Sequence, residues 1–193
     1  FSIGAVERDK ILQADTIEPG DILLGLASSG LHANGFSLIR RLIKDMGHDY
    51  GAPAPFSPDE TLAEVLLHPT KIYVPSCLAA IRADLVKGLS HITGGGLIEN
   101  PPRILPGNTL ARIDGGAWPV PPLFKWLAKS GGVETMEMAR TFNCGIGMIA
   151  IVAASDAEAA TAAFEAAGET VWPMGTVEAA DGPAWVELNG LEF

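Results

Sequence analysis

The apolar run at residues 148–154 (MIAIVAA) constrains this chain more than any other feature. It is the longest uninterrupted apolar stretch in the sequence, and it falls far short of the roughly 20 residues a membrane-spanning helix needs. Gly147 precedes it and Ser155-Asp156 follows it. A short apolar run between turn residues reads as a buried strand, here over residues 147–153.

The rest of the chain supplies partners for that strand. Further strands are expected over residues 21–27, 88–92, 109–113, 170–178 and 184–188, the last two around the hairpin signal Asp181-Gly182. A helix is expected over residues 35–44, with Phe36, Ile39, Leu42 and Ile43 at helical spacing, Asn34 as its N-cap and Gly47 as its stop. Residues 51–58 carry prolines and read as loop. Ser57 is expected to cap a second helix that starts at Pro58 and runs to about residue 67. Other helices are expected over residues 75–85, 121–130, 133–141 and 157–167, the last capped by Ser155, with one more opening in the glycine run at 94–96 and stopped by Pro101-Pro102. Adjacent strands mixed with strand–helix alternation argue an α+β fold with α/β-type layers, a mixed β-sheet packed with helices, in one domain without a linker.

Composition narrows the function classes. A chain of 193 residues, 48% apolar, can bury a sizeable core and is not disordered. Its net charge of −10 is scattered rather than blocked, as on a soluble cytoplasmic surface. No basic stripe offers a nucleic-acid footprint. Cys77 and Cys144 give neither metal spacing nor a disulfide framework and read as reduced, buried thiols. Residues 1–7 (FSIGAVE) have no basic flank or cleavage site of a signal peptide and read as the middle of a strand, as in a fragment of a longer protein.

Two strand-to-helix turns contain the same parts. Ser28-Ser29-Gly30-Leu31-His32-Ala33-Asn34-Gly35 and His91-Ile92-Thr93-Gly94-Gly95-Gly96 each hold glycine, a hydroxyl residue and a histidine. The first N–H groups of a helix lack internal partners and sit at the positive end of its dipole, so such turns favour anions. Consecutive glycines cost about 1 kcal/mol each in a regular element, which is easiest to explain where a ligand must touch the main chain. Neither turn is a Walker A loop or a dinucleotide fingerprint, so the pattern points to a phosphate-bearing small ligand and no further. The bland alternative is that the glycines only turn the chain and the histidines only pack. His32 and His91 can act as acid, base or donor. His48 and His68 read as helix-end residues. A third cluster, Arg140 to Gly147, joins a helix to the apolar strand; there Asn143 either contacts ligand or stabilises the turn. Cys144 has no histidine beside it in sequence and is a poor nucleophile candidate.

These segments resemble the AIR synthetase (phosphoribosylformylglycinamidine cyclo-ligase) family. Residues 25–38 (GLASSGLHANGFSL), 69–74 (PTKIYV), 91–103 (HITGGGLIENPPR) and 141–148 (TFNCGIGM) are similar to its motifs in the same order, over almost the whole chain. Ala33 stands where the family usually has serine, which removes a hydroxyl, and Ala139 where it often has phenylalanine. The resemblance implies a C-terminal domain over residues 21–193, with residues 1–20 as the end of, or connection from, an N-terminal domain that this chain does not contain. It implies ATP-dependent cyclisation of formylglycinamidine ribonucleotide to aminoimidazole ribonucleotide in purine biosynthesis. ATP with magnesium, bound mainly through the N-terminal domain, would activate the formamide oxygen, and the amidine nitrogen would close the ring. It also implies a cytoplasmic homodimer, and no activity for the isolated 193 residues. His32 and His91 are the expected catalytic residues, with His32 and Asn34 facing the cleft. Ser29, Asn34, Thr93, Gly94, Gly95, Gly96, Asn100 and Asn143 are the expected substrate- or phosphate-binding residues, and no metal ligand is expected in this chain. Formylglycinamidine ribonucleotide synthase, selenophosphate synthetase and thiamine-monophosphate kinase share the architecture, and a non-catalytic nucleotide-binding module remains a different class of reading.

Overall fold

The computed structural model describes residues 3–193. Along the chain it forms β1 (Ile22–Ala27), α1 (Phe36–Met46), β2 (Pro53–Ala54), β3 (Ser57–Thr61), α2 (Leu62–Leu66), α3 (Val74–Arg82), β4 (Gly88–His91) and α4 (Gly96–Glu99). There follow β5 (Thr109–Asp114), α5 (Pro122–Gly131), α6 (Thr135–Thr141), β6 (Ile146–Val152), α7 (Ala157–Ala166), β7 (Val171–Ala179) and β8 (Trp185–Asn189). The sheet order is β4-β6-β1-β7-β5-β8, with β2 and β3 as a separate hairpin. Every neighbouring pair in the large sheet is antiparallel except β5 and β8. The mixed sheet packed with helices is therefore as the sequence implies. Among the described residues no helix is long and apolar enough to cross a membrane.

Residues 148–152 of the apolar run lie inside this sheet in β6, between β4 and β1. Side chains alternate across a strand, and β6 accordingly feeds two cores. Ile146, Ile149 and Ile151 join Leu23 of β1, Ile39 and Ile43 of α1, Phe124 and Leu127 of α5 and Met138 of α6. Ala150 and Val152 join Leu24 and Leu26 of β1, Cys77 and Ala80 of α3, and Ala160 and Phe164 of α7. Both faces of β6 are thus covered, which is why it reads as an unbroken apolar run rather than an alternating one.

Five local expectations are corrected. The N-cap of α1 is Gly35, in the left-handed region at φ 72°, because the Asn34 amide donates to the His32 carbonyl at 3.0 Å instead of capping. Residues 57–61 form β3 rather than a helix begun at Ser57-Pro58, and the helix starts only at Leu62. There Thr61 and Glu64 form a capping box that fixes the start: the Glu64 N–H donates to Thr61 Oγ1 at 3.3 Å and the Thr61 N–H to Glu64 Oε2 at 2.8 Å. Ser155 does not cap α7: its hydroxyl donates to Asp156 Oδ1 at 3.3 Å, and Asp156 takes the cap position. The strands flanking Asp181-Gly182 do not pair with each other. Gly182 is held by Asn108 at the head of β5, through Asn108 N–H to Gly182 O at 2.7 Å and Gly182 N–H to Asn108 Oδ1 at 3.2 Å, so β8 is laid beside β5. Finally, the strand expected over residues 1–7 is not formed over residues 3–7, and Phe1 and Ser2 lie outside the described residues.

Candidate active-site wall

Register brings the sequence-predicted segments together. Ala27 at the end of β1 pairs with Ile146 at the start of β6, and His91 at the end of β4 pairs with Met148. The turns that leave β1 and β4 and the turn that enters β6 therefore lie at one end of the sheet.

Asn143 ties the first turn to the third. It is 1% exposed. Its Nδ2 donates to Gly30 O at 2.7 Å, while its Oδ1 accepts from Ser28 Oγ at 3.0 Å and from Gly145 N–H at 2.9 Å. Of its two open roles, this geometry supports the turn stabiliser: both ends of the amide are engaged with protein. Asn100 has a parallel arrangement under the second turn. It is 3% exposed, and its Nδ2 donates to Gly96 O at 2.8 Å while its Oδ1 accepts from Thr93 Oγ1 at 3.3 Å.

The three glycines of the second turn do three different things. Gly96 has φ 57°, and a side chain there would run into the carbonyl oxygens of Ala139 and Phe142, so it permits α6 to pack against the turn. Its N–H is donated to Thr93 O at 2.9 Å. Gly95 has φ 103°, and an added Cβ would lie 2.8 Å from Glu99 Cβ. Gly94 has nothing within 4 Å of such an atom and is exposed. Of the expected cradle, Gly94 is the exposed glycine, its carbonyl accepting from Asn100 Nδ2 at 3.4 Å, beside exposed His91 and half-buried Thr93. Helix α4 spans only Gly96–Glu99, so it adds little dipole.

The first turn is backbone-strained. His32 and Ala33 sit consecutively at φ 53° and 57°, a region that costs non-glycine residues about 1–2 kcal/mol each. Such strain persists only where surroundings over-determine it. The His32 ring is 4% exposed, so it does not face an open cleft as expected. Its Nε2 accepts the Ser29 N–H at 3.0 Å and faces the Lys71 N–H at 3.4 Å, which assigns the ring proton to Nδ1. Nδ1 has no hydrogen-bond partner among the described residues. Burial, and then the charges of His91 and Lys71, lower the imidazole to about 4, so His32 is neutral at pH 7. The Ser29 hydroxyl donates to Pro69 O at 2.8 Å.

Tyr73 links the two histidine turns, and the residue-by-residue reading of the sequence gave it no role. Its ring centroid lies 6.0 Å from that of His32 and 6.3 Å from that of His91, edge-on to both. Its hydroxyl donates to Ala27 O at 2.7 Å. Burial, with Glu169 and Cys77 adding to it, raises the phenol far above its ordinary range, so it is a fixed donor and not a base. Its position inside the PTKIYV segment was the available signal. Two cavities flank this assembly. One of about 310 Å³ lies behind the first turn, with Ser28, Ser29, Gly30, Glu60 and His68 in its wall. The other, of about 240 Å³, is lined by Lys71, Tyr73, Leu89, His91 and Met148. His68 pairs with Glu60 at 3.1 Å, and His48 packs on Trp126, so the structure brings neither into contact with His32 or His91. Cys144 is fully buried and burial pushes its thiol up, which agrees with the inert reading. Among the described residues no cluster of three or more His, Cys, Asp or Glu side chains is placed to hold a metal ion.

Comparison with known proteins locates this arrangement. Residues 18–186 match the family model described as AIR synthase related protein, C-terminal domain. The phosphoribosylformylglycinamidine cyclo-ligase of Burkholderia vietnamiensis is 54% identical over 179 residues, which is 93% of this chain and 50% of that protein. The chain thus spans about half the length of the curated relatives it matches. Among solved structures, thiamine-monophosphate kinase from Stenotrophomonas maltophilia superposes with a TM-score of 0.64 at 19% identity, over 96% of this chain and 55% of the other. Thermotoga maritima PurL complexed with AMPPCP gives 0.54 at 12%, over 97% and 26%. At these identities the two structures speak for the fold alone.

Proposed function

The chain belongs to the AIR synthase related family, matching its C-terminal domain, and from that premise we propose that it forms one wall of the active site of an ATP-dependent phosphoribosylformylglycinamidine cyclo-ligase. The observation that carries this reading is the convergence of three motif-bearing turns at one end of the sheet, with exposed Gly94 beside exposed His91. In this reading residues 21–193 are the C-terminal domain and residues 1–20 the connection from the domain before it.

The roles divide between the second turn and the residues that hold the turns in shape. His91, Thr93, Gly94 and Gly95 contact a phosphate-bearing part of the substrate, Thr93 and the glycines as donors. Ser29, His32, Asn34, Gly96, Asn100 and Asn143 shape the turns, and His32 acts as a neutral group. ATP is a substrate here: the formamide oxygen takes its terminal phosphoryl group, the amidine nitrogen attacks the activated carbon, and phosphate leaves. Magnesium, much of the ATP site and the dimer contact are assigned to the preceding domain. Catalysis on this wall is positioning and electrostatic stabilisation.

The test is product formation by the full-length protein. Formylglycinamidine ribonucleotide and ATP should yield aminoimidazole ribonucleotide, ADP and phosphate, and the 193-residue chain alone should yield none. ATP turnover with no ring closure, or ring closure by the isolated chain, contradicts the reading.

A further inference from the structure

The lower side of the first turn rests on residues 69–73, and the group that fixes this segment lies on another element. Lys71 Nζ is 2.6 Å from Glu169 Oε2, on the connection between α7 and β7, and the Glu169 side chain is 4% exposed. The Ser76 hydroxyl lies 2.8 Å from Glu169 Oε1 and 2.9 Å from Tyr73 O. A buried carboxylate is costly unless paired and hydrogen-bonded, so Glu169 draws the Lys71 ammonium inward and holds it there. The ammonium then sits 5.6 Å from the centroid of the Tyr73 ring. The same placement turns the Lys71 backbone N–H toward His32 Nε2, at 3.4 Å, beside the Ser29 N–H at 3.0 Å. Two main-chain donors aimed at one ring nitrogen leave the other to carry the proton.

We propose that Glu169 is a positioning residue: through its ion pair with Lys71 it clamps residues 69–73 against the first turn and so fixes which ring nitrogen of His32 carries the proton. The clamp spans three places far apart in the sequence, at 29–32, 69–76 and 169. Its consequence for turnover rests on the proposed function. Its effect on the His32 ring does not.

The groups that face His32 are the Ser29 and Lys71 amides, the Ser29 hydroxyl at 3.0 Å from Nε2, the Lys71 ammonium, Tyr73 and His91, with Glu169 behind Lys71. Long-range proton–nitrogen spectra of the 15N-labelled chain read the ring directly. The wild type should show His32 as the Nδ1–H form, with a protonation midpoint near 4. In Glu169→Gln the clamp loosens. The spectra should then show a mixture of the two tautomers and a midpoint raised by about one pH unit or more, as water and distance weaken burial and the Lys71 charge. Lys71→Arg should keep the wild-type pattern, since it preserves the pair. Should Glu169→Gln fail to fold, Lys71→Met/Glu169→Gln removes both charges together and should give the same two changes. A folded variant lacking the pair that has lost thermal stability, with tautomer and midpoint unchanged at His32, overturns the proposal and leaves the pair a merely structural bridge. Failure of the cyclo-ligase reading would leave all of these signals where they are.

Discussion

Replacing Gly96 by alanine should damage the protein in a way that replacing Gly94 does not. Gly96 has φ 57°, and an added Cβ would meet the carbonyl oxygens of Ala139 and Phe142. The left-handed backbone costs a non-glycine residue about 1–2 kcal/mol. The obstacle is main chain at and just after the end of α6, which cannot swing aside as a side-chain tip can, so overpacking adds about 1–3 kcal/mol. The expected loss is therefore roughly 2–5 kcal/mol, out of a total that for natural domains is about 5–15 kcal/mol. At about 2–4 °C per kcal/mol for a chain of this size, the melting temperature should fall by roughly 4–20 °C. Gly94 has open space and no positive φ, so Gly94→Ala should stay within about 0.5 kcal/mol of wild type. Scanning calorimetry on the two variants decides the matter. Equal melting temperatures for Gly96→Ala and wild type, or equal losses for the two variants, would refute the division of labour among the glycines.

Three further outcomes follow from the same geometry. Asn143→Ala removes three hydrogen bonds, two of them between the first and third turns, and should cost roughly 2–4 kcal/mol in urea unfolding, at about 0.5–1.5 kcal/mol per bond; Asn34→Ala, which loses one hydrogen bond, should cost clearly less. His32 is held near 4 against an ordinary 6.5, so between those values the unfolded chain binds more protons than the native one, and its stabilising contribution is lost as pH falls from 6.5 toward 4. His32→Gln should flatten that part of the stability–pH curve, and an unchanged curve would contradict the assignment. Burial pushes the Cys144 thiol up, and burial followed by Glu169 pushes Cys77 up to about 11, so neither should react with a disulfide reagent at neutral pH until the protein unfolds.

Particular residues explain what was legible in the sequence. The run that became β6 was visible because both its faces are buried, and length and flanking turn residues were enough to identify it. The turns at His32 and His91 were visible as motifs, and register then placed them together. The pairing of β8 was not visible, because Asp181-Gly182 carries a local hairpin signal that the hydrogen bonds of Asn108 override from across the chain. The start of α2 was misplaced by the signal at Ser57-Pro58, although the Thr61–Glu64 capping box lay in plain view. The individual roles of Gly94, Gly95 and Gly96 could not be read at all: three identical residues differ only in what surrounds them. Glu169 was equally silent, since an ion pair between positions 71 and 169 has no local pattern.

The claim that this end of the sheet receives a phosphate-bearing ligand is tested most directly by titrating the 15N-labelled chain with ribose 5-phosphate and following amide shifts. The account predicts saturable shifts at His91, Thr93, Gly94 and Gly95, weakened in Gly94→Ala although its melting temperature is kept, with β8 and α7 unaffected. No shift in the second turn at any ligand concentration, or shifts centred on another face, would contradict it.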